Sequence, residues 1–241
     1  MRARIQYRGM SCAGWRTVFL LAAPVLLIAL AAAGQHQPRV VDRIVVKIEN
    51  DILTESELRE LDAFQMLLNA GTNPQGSQAP AGKAARDTLL RQLIDQWIVE
   101  READAAQFAR PLGADVDAEL ARVAAAAGGP AVLALRLGEL GLSPAGLQRM
   151  LERVLRLSRY LDYKFRPAAQ VETSQIETYY REEWAPGARA SGLAVPPFAA
   201  VQETLRELLI QKEITSRAGR WLDEMRSRLK IEFSAESEAR R

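Results

Sequence analysis

The chain holds 241 residues, 48% hydrophobic, 26% charged and 6% aromatic, with a formal net charge of +2. That is a globular composition, long enough for one large domain or two small ones. One cysteine, Cys12, excludes an internal disulfide framework, and one histidine, His36, argues against a histidine triad or a multi-histidine metal site.

The amino-terminal stretch is expected to lie outside the fold. Arg2, Arg4, Arg8 and Arg16 precede an uninterrupted apolar run, Val18–Leu30, and then Ala31-Ala32-Ala33-Gly34. Basic start, apolar stretch and small residues make the pattern of a secretory signal peptide, residues 1–33, cut near Ala33. An uncleaved membrane anchor is the alternative, but 13 residues fall short of the roughly 20 that span a bilayer. Cleavage removes Cys12 and four arginines and moves the formal charge from +2 to −2. No basic patch remains to suggest nucleic acid.

Arg43–Glu49 reads as a strand, Asn50-Asp51 as a turn and Ile52-Leu53 as a short returning strand. Thr54 and Glu57 fit a capping box. The helix after it carries Leu58, Leu61, Met66 and Leu67 and should end by about Asn69. Residues 70–82 form a Gly- and Pro-containing loop. From Lys83 a long helix carries Leu90, Ile94, Trp97, Ala105 and Phe108 at spacings mostly of three and four, stopped by Arg110-Pro111-Leu112-Gly113. Asp115 can cap a third helix, which Gly128-Gly129-Pro130 breaks, and Ala131–Leu140 is a fourth.

Ser143-Pro144 opens the next helix. Leu147, Leu151, Val154, Ser158, Leu161 and Phe165 then give the clearest amphipathic stripe in the chain. Ser174–Glu183 is a short helix, Ala185–Pro197 a linker, Val201–Leu229 a long last helix, and Lys230–Phe233 a terminal strand. Residues 234–241 read as a disordered tail. The fold class is therefore mainly α, with a small antiparallel sheet that pairs Lys230–Phe233 with Arg43–Glu49. The last helix should lay Leu205, Leu208, Ile214, Trp221 and Met225 against the amino-terminal helices.

No catalytic constellation emerges. Glu100, Glu102 and Asp104, like Glu182 and Glu183, are interleaved with arginines, the pattern of a solvated helix face. His36 lies ahead of any structure. Neither a phosphate-binding glycine loop nor a G-x-S-x-G elbow occurs. Trp97 and Trp221 fall on core stripes. What is left is surface: Met66, Leu67 and Leu68 before the loop, and Tyr179, Tyr180 and Trp184 beside the linker, could serve apolar recognition or complete a small core. No metal and no cofactor is expected.

The order of segments carries a resemblance. V-D-R-I-V-V-K-I-E-N-D-I-L-T-E-S-E-L (Val41–Leu58) is followed by L-L-R-Q-L-I-D-Q-W-I-V-E-R-E-A (Leu89–Ala103) and V-D-A-E-L (Val116–Leu120). G-L-S-P-A-G-L-Q-R-M-L (Gly141–Leu151) and V-E-T-S-Q-I-E-T-Y-Y (Val171–Tyr180) come next. Over most of the chain this is similar to the SurA family of periplasmic chaperones and peptidyl-prolyl isomerases. The resemblance implies a helical chaperone module over residues 34–170, completed by residues 201–233.

Relatives carry parvulin-type isomerase domains between the Y-Y helix and the last helix, and such a domain needs on the order of a hundred residues. Here residues 171–200 hold only a short helix and a linker, so isomerase activity is not carried over. The implied protein is periplasmic and ATP-independent, and it is not an enzyme. It binds unfolded envelope or outer-membrane proteins rather than nucleic acid or a small molecule. It meets a membrane only through its clients or an uncleaved signal. A subunit docking one particular envelope partner is the alternative.

Overall fold

In the computed structural model, residues 42–72 and 82–234 are described. The expected signal peptide, Cys12, His36, most of the loop after Asn69 and the tail from residue 235 lie outside the described residues. The fold is mainly α with one small antiparallel sheet.

The sheet joins the two ends of the described chain. Strands β1 (Ile44–Ile48), β2 (Asp51–Thr54) and β3 (Ile231–Phe233) lie in the order β2-β1-β3. Val46 pairs with Phe233, Lys47 with Glu232 and Ile48 with Ile231. A bulge between Ile44 and Val46 turns two consecutive residues inward, so Val45, Val46 and Ile48 are all fully buried. The tight turn falls on Glu49-Asn50, one residue earlier than the sequence suggests. Glu49 adopts φ +52°, an uncommon conformation for a residue with a side chain. It is held there from both sides: its N–H donates to the Lys230 carbonyl at 3.0 Å, and its Oε1 accepts from the Lys230 N–H at 2.8 Å.

Helix α1 (Glu55–Thr72) opens on the expected capping box. The Thr54 N–H donates to Glu57 Oε2 at 2.8 Å, and the Glu57 N–H donates to Thr54 Oγ1 at 3.4 Å. The helix runs past Asn69, because Ala70 favours a helix and Gly71 weakens one without breaking it. Helix α2 (Lys83–Ala105) ends sooner than expected. Gln107 turns to φ +52°, the Phe108 N–H donates back to the Ala103 carbonyl, and the Gln107 N–H to that of Asp104. This is a Schellman ending, so Phe108 folds under the helix end instead of extending its stripe. Its ring meets Tyr160 edge-on at 5.5 Å.

Helix α3 (Gly113–Ala127) is capped from Leu112, and Asp115 sits in its first turn, reaching back to the Leu112 N–H at 3.3 Å. Asp115 is thus a partner of the cap rather than the cap itself. Helix α4 (Pro130–Leu140) follows directly. Helix α5 (Pro144–Phe165) starts as read from the sequence, with Ser143 Oγ accepting from the Gly146 N–H at 3.0 Å.

The α5 stripe holds only at its ends. Leu147, Met150 and Leu151 enter a first core cluster with the sheet and α1–α4. Leu157 and Tyr160 enter a second with Val99 and Ala103. Between them Val154 and Ser158 are exposed. The middle of α5 is joined to α2 by ion pairs instead, and these leave Val154 facing out. Trp97 packs against the first cluster and Trp221 against both.

After a turn at Arg166–Ala168 come α6 (Thr173–Tyr179), one π-turn (Tyr180–Trp184) and α7 (Ala185–Ala190). The segment expected to be a linker is therefore partly helical. Helix α8 (Phe198–Arg228) has 31 residues, about 46 Å at 1.5 Å per residue. It packs in turn on α6, α5 and α2 before delivering β3. Leu205 and Ile214 are buried and Trp221 and Met225 half-buried, but Leu208 faces solvent, contrary to expectation.

Candidate functional site

An open groove of about 780 Å³ runs between α6 with its π-turn and the middle of α8. Val171, Tyr179 and Leu209 supply apolar surface, and Ser174, Thr178 and Ser216 supply hydroxyls. Lys212 crosses it: Nζ donates to Tyr179 Oη at 3.2 Å, sits 4.3 Å from the ring centre and lies 3.9 Å from Glu183. Such a cation–π contact helps to hold the half-buried ring in place. A second, shallower apolar surface of about 830 Å³ lies along α8 at Thr204, Leu208 and Gln211.

The six residues singled out in the sequence are not brought together. Tyr179 lines the groove. Tyr180 and Trp184 stack at 5.6 Å, Tyr180 meets Phe198 edge-on at 5.5 Å, and Tyr180 Oη donates to the Pro196 carbonyl at 2.7 Å. Those two rings hold the chain that returns to α8. Leu67 is buried in the first cluster, Met66 is half-buried and Leu68 is exposed. None of these three lines the groove. Leu209 and Lys212 were missed because a 31-residue amphipathic helix offers several candidate faces, and only the position of α6 selects one.

The carboxylate row on α2 is not simply solvated. Glu100 meets Arg153 at 3.3 Å, Glu102 meets Lys164 at 3.6 Å and Asp104 meets Arg156 at 2.6 Å, all across to α5. Sequence adjacency pointed to Arg101, which instead lies over Trp97 and reaches Asp51 at 3.4 Å. At the far end of α5, Arg166 donates to both oxygens of Asp162 at 2.9 Å and forks onto Glu207 of α8 at 2.7 and 3.1 Å. The hydrogen bonds from Arg166 and Gln211 pull the Glu207 carboxyl down to about 2.

Burial pushes the Asp95 carboxyl up, and its bond from Arg226 only partly offsets this. Among the described carboxyls with a shifted pKa, Asp95 alone is raised, and it shares the Arg226 guanidinium with Asp223, whose charge adds to the rise. That geometry is a strut between α2 and α8, not an acid–base pair. No group of three His, Cys, Asp or Glu gathers among the described residues.

No single described helix is long and apolar enough to cross a membrane. Helices α3 and α4, bent by 88°, pass on length and composition only together, and Val116, Val123, Leu133 and Leu137 on them are core. No family model matches the chain, and no curated protein matches it.

Proposed function

We propose that this protein is an exported, ATP-independent holdase that shields extended segments of unfolded envelope or outer-membrane proteins. The observation that carries the reading is the open groove between α6 and α8, where Val171, Tyr179 and Leu209 supply apolar surface among hydroxyl side chains and the charged Glu182, Glu183, Lys212, Glu213 and Arg217. An extended chain presents alternating side chains and unpaired amides, and this lining offers partners to both. Broad, shallow contacts of this kind leave little surplus after the client is ordered, which favours release without ATP. The likeness to SurA chaperones and the signal-like amino terminus support the same reading.

The test is a double variant, Tyr179→Ala with Leu209→Ser, which strips apolar surface while leaving the buried Ile176 and Leu205 in place. Its binding to several unrelated unfolded proteins should weaken about tenfold, roughly 1.4 kcal/mol, with far-UV circular dichroism unchanged. Unaltered binding to all of them would place the client elsewhere. Binding to one protein alone would instead point to an assembly subunit.

A further inference from the structure

The groove between α6 and α8 holds an occupant of its own. Among the described residues that line it, Tyr179 alone is aromatic, and its ring is half-buried. The ammonium of Lys212 lies 4.3 Å from the centre of that ring, and the same Nζ donates to Tyr179 Oη at 3.2 Å. Three other charges of the groove are engaged elsewhere. Glu213 meets Arg217 at 2.7 Å and Arg220 at 3.9 Å, and Glu182 meets Arg181 at 3.2 Å. Lys212 is thus the charged side chain that lies on the ring, with Glu183 as its ionic partner 3.9 Å away.

We propose that Lys212 is a latch on the groove: it covers the Tyr179 ring in the free protein and leaves it when an apolar client side chain arrives. An ammonium and an apolar side chain cannot share one ring face, because both need the same space above it. The contact is weak enough to yield. The side chains of Lys212 and Glu183 are 55% and 68% exposed, and at such sites a cation–π contact shifts an equilibrium only about two- to fivefold. Lys212 stands on a flexible stem, so it reaches water by rotation of its own bonds, with no movement of α8 and with Glu183 still beside it. Its return to the ring competes with the bound client, which favours release without ATP. The inference rests on the holdase reading and assigns Lys212 the regulation of that same groove.

The probe is an unfolded ten-residue peptide of leucine, serine and glycine, blocked at both ends and free of charge. Its binding to the full chain is measured by isothermal titration calorimetry. Lys212→Ala should bind it about threefold more tightly than the unaltered protein. Lys212→Arg, whose flat guanidinium stacks better on a ring, should bind it about twofold more weakly. Weaker binding by Lys212→Ala would make the lysine a client contact and overturn the latch, and unchanged affinity overturns it too; both leave the holdase reading standing. A second measurement needs no client. With the lysines carrying ¹³C-methyl labels, the Lys212 signal of the free chain, assigned by its loss in Lys212→Ala, should be shifted upfield by the ring and should move back in Tyr179→Leu. A Lys212 signal without that shift overturns the latch whether or not the peptide binds. A shifted signal with no peptide bound by any of these chains overturns the holdase reading and the latch together.

Discussion

Arg156 is the charged residue buried among the described residues, and it makes a sharp test of how α2 and α5 are joined. Its Nη2 donates to Asp104 Oδ1 at 2.6 Å and to the Phe108 carbonyl at 3.1 Å, so one guanidinium closes the Schellman end of α2. Asp104 is 64% exposed, so solvent screening limits that pair to about 1 kcal/mol or less. The bond to the carbonyl, from a charged donor, contributes about 1.5 kcal/mol. The buried aliphatic stem adds about 1–2 kcal/mol at about 0.8 per methylene.

Arg156→Ala loses all three and should cost about 3 kcal/mol. Arg156→Met keeps most of the stem and removes an Nε that is shielded and has no partner, so it should cost only about 1 kcal/mol. Asp104→Ala should cost about 1 kcal/mol or less. Urea unfolding followed by far-UV circular dichroism measures all three. A methionine variant as unstable as the alanine one would refute the division into stem and charge. So would an Asp104→Ala variant that loses as much as Arg156→Ala.

The pH dependence has a defined sign. Glu207 sits at about 2, below its ordinary 4.5, so its link to Arg166 stabilises the fold above about pH 4.5 and weakens as pH falls toward 2. The melting temperature of the unaltered protein should fall more steeply across that window than that of Glu207→Gln; parallel slopes would contradict the assignment. Tyr180→Phe deletes the bond to the Pro196 carbonyl and should cost about 1 kcal/mol, with faster amide exchange across the turn at Ser191–Leu193. Ending the chain at Leu229 removes β3 and the half-buried Ile231 and Phe233. It should lower stability by about 3 kcal/mol in the same urea titration, and an unchanged midpoint would make β3 an appendage.

The parts of the fold written in short-range chemistry were legible in the sequence. The Thr54–Glu57 box, the Ser143 cap and the β-branched run at Val45-Val46 each need only a few neighbouring residues. The pairing of β3 with β1 followed because two strand-like segments at opposite ends leave one economical partner for each. Some of what failed was local backbone geometry that composition does not reveal, and the rest depended on partners distant in sequence. Phe108 looked like the next residue of a stripe until Gln107 turned left-handed. Val154 kept the period of α5 but lies where ion pairs to α2 do the joining.

The α2 carboxylates seemed solvated because their cations are some fifty residues away on α5. The segment Ala185–Pro197 has linker composition, yet Tyr180 and Trp184 order its ends. Of the candidate site, Tyr179 was legible as an aromatic beside a break in the chain. Leu209 and Lys212 were not, because their standing depends on which face of α8 lies against α6.

The central claim is that this chain holds unfolded proteins, and light scattering tests it most directly. A urea-denatured outer-membrane protein is diluted into buffer without ATP, with and without a stoichiometric amount of the full chain. The account predicts that scattering is suppressed in proportion to the amount of chain added and that the Tyr179→Ala, Leu209→Ser variant suppresses it less. Scattering that rises at the same rate with the chain as without it would contradict the account.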